Sequence, residues 1–133
     1  MKNGIKEWIL VADKDIETIK VLMESPTFIT HSIAFHCQQA IEKYFKAYLL
    51  EHGWELKRTH DLMRLYIEIE KIKDLKINTD TLMEIDKMYI DTRYPDDFRE
   101  PTKEELKKFF DLAAEIELKI KHELGINAGN TES

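Results

Sequence analysis

Three stretches of the chain bring together residue types that can act on a proton or a phosphate. The first is Gln38, Gln39, Glu42, Lys43 and Lys46, which helical spacing sets along one side of a helix. The second is Arg58-Thr59-His60-Asp61, just before an apolar periodic run. The third is Arg93-Tyr94-Pro95-Asp96. An imidazole gains or loses a proton near neutral pH, and a guanidinium presents paired N–H donors to a phosphate. Each stretch also has a plain structural reading. The first fits a solvated helix face with Glu42 and Lys46 paired at i, i+4. The second fits a helix cap, and the third a helix terminator with an Arg–Asp ion pair.

Other chemistries lack their residues. The chain has no Gly-rich phosphate loop, no HExxH, no CxxC and no GxSxG. His31 and His36 are five apart and do not stack on one helix face as a metal pair would. Asp96 and Asp97 stand together after Pro95, a pattern that serves a turn more readily than a cation. The single cysteine, Cys37, excludes an intramolecular disulfide and reads as a small buried hydrophobe. No metal and no cofactor is expected.

The elements that must position these groups read as helices. Of 133 residues, 43% are hydrophobic and 35% charged, with only 4 Gly and 3 Pro to interrupt helices. A net charge of −6 argues against a broad phosphate-binding surface but permits a local basic pocket. No apolar run is long enough to span a bilayer and no signal-peptide pattern opens the chain, so the expected compartment is the cytoplasm.

Helix one is expected at about 4–23, with Ile5, Trp8, Ile9, Ala12, Ile16, Ile19 and Met23 on one stripe, ending before Pro26. Helix two starts between Thr27 and Thr30 and ends at His52. Its broad apolar face (Ile33, Cys37, Ala40, Ile41, Tyr44, Ala47, Tyr48) suits a helix with several neighbours. Phe35 and Leu50 fall on its polar side, where a further contact, such as another chain, would cover them. A short polar connection leads to helix three, capped by Thr59 or Asp61, with Leu62, Leu65, Tyr66, Ile69 and Ile72 as its stripe. Helix four follows from Asn78, Thr79 or Asp80 on Leu82, Ile85 and Tyr89, and stops before Pro95. Thr102 and Glu105 read as a capping box for helix five, which runs to about Leu124. The fold expected is all-α: an antiparallel up-and-down four-helix bundle with one additional short helix. One domain spans 1–126, and 127–133 form a flexible tail.

Phe35 through Gly53 (FHCQQAIEKYFKAYLLEHG), RTHDL at 58–62 and RYPD at 93–96 together resemble the HEPN domain family, in its prokaryotic single-domain form. The resemblance implies a helical bundle that commonly forms a homodimer. It also implies a minimal nucleotidyltransferase as a partner, in a toxin–antitoxin or nucleotide-handling module. Some branches are metal-independent ribonucleases, marked by an arginine, four to six residues and a histidine. Here that signature is absent: after Arg93 the eligible positions hold Phe98, Arg99 and Glu100.

The expectation is therefore a module that binds a nucleotide or a nucleotidyltransferase partner, leaning away from an enzyme. Arg93, Tyr94, Asp96 and His60 are its ligand-facing candidates, with Lys43 and Lys46 as phosphate contacts. Two alternatives stand beside it. One is an RNA-cleaving toxin that uses His60 and Arg93 as a composite catalytic pair. The other is an interaction scaffold.

Overall fold

The computed structural model describes residues 4–25, 30–55, 57–91, 94, 96 and 99–126. Five helices carry the chain: α1 (Ile5–Glu24), α2 (Thr30–Glu51), α3 (Leu62–Glu70), α4 (Thr79–Asp91) and α5 (Lys103–Glu123). Among the described residues no helix is long and apolar enough to cross a membrane.

α2 packs against each of the other four helices. That is the reason for its wide apolar face: Ile33, Cys37, Ala40, Ile41, Tyr44, Phe45, Ala47, Tyr48 and Leu49 are all buried. α1 lies antiparallel to it, as paired contacts show: Asp15 meets His36 and Lys43, while Asp13 meets Tyr44. The α1 stripe buries Ile5, Ile9, Ala12, Ile16 and Ile19. Ser25 ends α1 in extended backbone, φ −68°, ψ 143°, the conformation favoured before a proline.

The four long helices alternate in direction, and α3 is the added short element. Between α2 and α3 the chain doubles back. The His60 carbonyl accepts from the Gln38 side chain at 2.7 Å, more than three turns before the end of α2. The connection thus climbs about 20 Å back along the helix. α3 then runs parallel to α2, stacking Tyr66 on Phe45 with ring centroids 5.7 Å apart. This return sets His60 against the middle of α2.

Caps fix the helix starts. Asp61 rather than Thr59 caps α3, accepting from the Arg64 N–H at 3.2 Å, while the Thr59 hydroxyl accepts from the Asp61 N–H. Asn78 caps α4 through the N–H groups of Asp80 and Thr81. Thr102 and Glu105 form the reciprocal capping box of α5.

Three expectations need correction. Gln38, Glu42 and Lys46 are not a solvated face; all three are buried, because the segment around His60 and α1 cover that side of α2. Leu50 is partly buried against the core and offers little to another chain, whereas Phe35 stays 39% exposed. Ile72 falls beyond the end of α3 and is exposed. The tail at 127–133 lies outside the described residues.

Candidate functional site

Glu42 is the centre of a buried polar cluster. Its Oε2 accepts from the Lys46 ammonium at 2.9 Å, and its Oε1 accepts from the Gln38 amide at 3.3 Å. The same Oε1 lies 2.9 Å from His60 Nδ1, which donates when it carries the proton. Gln38 also donates to the His60 carbonyl and accepts from Gln39 at 2.8 Å. Lys46 lies over the Trp8 ring, 5.6 Å from its centroid. No buried side-chain polar atom lacks a partner among the described residues. A cluster so fully bonded holds its members in one geometry.

His60 is the outward end of this cluster. Its side chain is 58% exposed, whereas that of Glu42 is 5% exposed. A buried carboxylate therefore holds one ring nitrogen and leaves the other edge of the imidazole to solvent. That edge borders a cleft of about 150 Å³ lined by His60, Asp61, Asp86, Tyr89 and Ile90. The Tyr89 ring is 6.0 Å from His60 and stacks on Phe35 at 5.8 Å. Two carboxylates on the wall favour a base with its amino groups, or a cation, over a phosphate.

Asp86 does structural work at this cleft. Its oxygens accept from the N–H groups of Leu62 and Met63 at 3.0 and 3.2 Å, so α4 caps the start of α3. Burial pushes its carboxyl up to about 7. The two backbone bonds oppose that shift, and neighbouring Asp61 adds to it. The sign follows directly. The unfolded carboxyl ionises near pH 4, whereas the folded one holds its proton to about 7, so stability falls as pH rises across that interval. The parent protein should melt at a higher temperature at pH 5.5 than at pH 8, by an amount on the order of 1 kcal/mol because the group is half-exposed. Thermal melts of the parent and of Asp86→Asn across this range check it; the variant's curve should be flatter.

The remaining candidates are placed unevenly. Lys46 is only 5% exposed and is committed to Glu42. Lys43 bonds Asp15 at 2.6 Å, and Asp15 also holds His36 at 2.9 Å. A phosphate would have to break these ion pairs to reach either lysine. Tyr94 and Asp96 are exposed beyond the end of α4. Arg93, like Pro95 and Asp97, lies outside the described residues, and so does the proposed meeting of Arg93 with His60. Sequence reasoning missed Asp15 and Asp86. Each is one of several acids in an amphipathic helix, and nothing in its neighbours distinguishes it from a surface residue.

No curated protein and no solved structure matches the chain. The family model for the HEPN domain matches residues 5–123. That span takes in all five helices and the Glu42–His60 cluster, and on it the chain belongs to the HEPN domain family.

Proposed function

We propose that this HEPN domain is a homodimeric nucleotide-binding module that works beside a minimal nucleotidyltransferase in a toxin–antitoxin-like unit. The observation behind this reading is the clamped His60 ring. One nitrogen is bonded to buried Glu42, and the exposed edge borders a cleft with Tyr89 beside it. On this reading the edge of a base enters the cleft, its amino group toward Asp61 and Asp86, and Tyr94 and Arg93, the latter outside the described residues, are the phosphate candidates. Lys46 serves by holding Glu42 in place. Calorimetric titration with purine nucleotides tests this. His60→Ala and Arg93→Ala should each weaken binding about tenfold, equivalent to about 1.4 kcal/mol. Absence of heat with any nucleotide would count against the reading.

The dimer is expected through α4 and the start of α2. Met83 and Ile90 are seven apart on one face of α4, 48% and 54% exposed, and Tyr94 is exposed four residues further on. Phe35 stands next to them on Tyr89. A second copy covering this apolar strip would remove it from water. Light scattering should give twice the chain mass for the parent, and Met83→Arg with Ile90→Arg should halve it. A monomeric parent at micromolar concentration would refute the dimer.

Metal-independent RNA cleavage is the second reading, favoured by the same Glu42–His60 pair. A carboxylate on one nitrogen fixes the tautomer that lets the other accept a ribose 2′-OH proton. Incubation of RNA in EDTA tests it. Cleavage that His60→Ala abolishes supports this reading, and intact RNA sinks it.

A further inference from the structure

A second cleft, of about 440 Å³, lies between Trp54 and residues 57–59 on one side and α3 on the other. Trp54, Lys57, Arg58, Thr59, Arg64 and Glu68 line it. We propose that it is a separate binding site for a phosphate joined to a planar base: a nucleotide, free or within a single strand.

Charge carries the first part of the argument. The chain as a whole is acidic, yet three cations line this cleft against one carboxylate. That carboxylate, Glu68, is already held by Lys71 at 3.2 Å. Several basic side chains elsewhere on the surface find acidic partners: Arg99 forks onto Glu105 at 2.8 and 2.9 Å, and Lys73, Lys87, Lys107 and Lys108 are each ion-paired. The guanidiniums of Arg58 and Arg64 have no such partner among the described residues. Two exposed guanidiniums facing one cleft repel each other until an anion comes between them, and a phosphate suits their forked donors.

Shape and chemistry carry the second part. The half-buried Trp54 forms part of the wall, with the Lys57 ammonium 6.0 Å from its ring centroid. An indole beside cations is the pairing that holds a nucleic-acid base by stacking while the backbone is neutralised. The Thr59 oxygen accepts from the Asp61 N–H, which leaves its hydroxyl hydrogen to donate into the cleft. The volume falls within the roughly 300–1,000 Å³ of small-ligand sites. The cleft also adjoins His60: the Cα atoms of Arg58 and His60 are at most about 7.6 Å apart along the chain.

Three probes test the site on the full chain: inorganic phosphate, AMP, and a labelled 2′-O-methyl oligoribonucleotide that 2′-OH-dependent cleavage cannot consume. Arg58→Gln with Arg64→Gln should weaken nucleotide or strand binding at least tenfold. For the strand, the slope of log K against log salt should fall by about 1.4. Lys14→Gln with Lys20→Gln, the same charge change on α1, should alter binding less than about twofold. Trp54→Leu should weaken AMP but not phosphate. Binding of AMP identifies a free-nucleotide site; binding of the strand alone identifies a strand site. No probe binding tighter than about 1 mM, or equal losses in both double variants, overturns the proposal. Binding that His60→Ala abolishes and the arginine variant spares belongs to the His60 cleft and also overturns it.

Discussion

A Glu42→Ala protein should melt roughly 10–20 °C below the parent, a loss of about 3–5 kcal/mol. The substitution takes away the only carboxylate among the described residues within ion-pair reach of Lys46, whose side chain is 7% exposed. The ammonium would then rest on the Trp8 ring with no counter-charge, and an uncompensated buried charge is among the most costly defects a core can carry. Gln38 loses one acceptor and His60 its anchor. The domain has only about 5–15 kcal/mol in all, so such a loss is readily measured. If Glu42 lay on a solvated ridge, the change would stay within about 0.5 kcal/mol. Glu42→Gln combined with Lys46→Met separates charge from packing. With both charges gone no buried charge is left unpaired, and the double variant should be more stable than Glu42→Ala. Denaturant unfolding of the three proteins decides it, and a double variant as weak as Glu42→Ala would mean that packing sets the cost.

The sequence contained the helices because their apolar residues repeat at the helical period, and the burial of Ile5, Ile9, Ala12, Ile16 and Ile19 follows that count. Local signals were equally readable: the Thr102–Glu105 box needs only four neighbouring residues. What stayed hidden depends on contacts between distant segments. Gln38, Glu42 and Lys46 are polar, and polar residues at i, i+4 look solvated unless something covers them. Their cover is the returning segment around His60, whose direction no local pattern encodes. One clue was available: Phe35, Leu49 and Leu50 flank that ridge, which is unusual for a helix with a free face. At the site, His60 was legible as a polar group at a helix start. Its partner Glu42, 18 residues earlier, and the cleft wall at Asp86, 26 residues later, were not. Arg58 was noticed within RTHD, but Trp54 and Arg64, which complete the basic cleft, were not read with it.

Lys121→Met should cost about 2–4 kcal/mol, for a related reason in the opposite charge sense. Lys121 is 1% exposed, and its ammonium lies 3.0 Å from Asp13 and 2.7 Å from Glu117. The Tyr44 hydroxyl donates to the same Asp13 oxygen at 2.5 Å. One cation thus ties α5 to α1, and through Tyr44 to α2. Methionine keeps most of the aliphatic stem but leaves two carboxylates facing each other, 18% exposed apiece, and partial access to water keeps the cost below that at Glu42. Burial alone would lower the ammonium's pKa, but its bonds to Glu117 and Asp13 outweigh that and raise it above 10.5. The stability it contributes is therefore fully present below the unfolded value and is lost only as pH climbs past the raised one. The gap between parent and Lys121→Met should be constant from about pH 6 to 9 and narrow only in strong alkali. Burial, with the Asp13 bond adding to it, pushes the Tyr44 hydroxyl far up, so that link stays intact over the same range. A double-mutant cycle with Asp13→Asn should show coupling above about 1 kcal/mol, as expected of groups in direct contact. Additive losses would mean that Asp13 and Lys121 do not share an ion pair in solution, and that α5 is held to α1 by apolar packing alone.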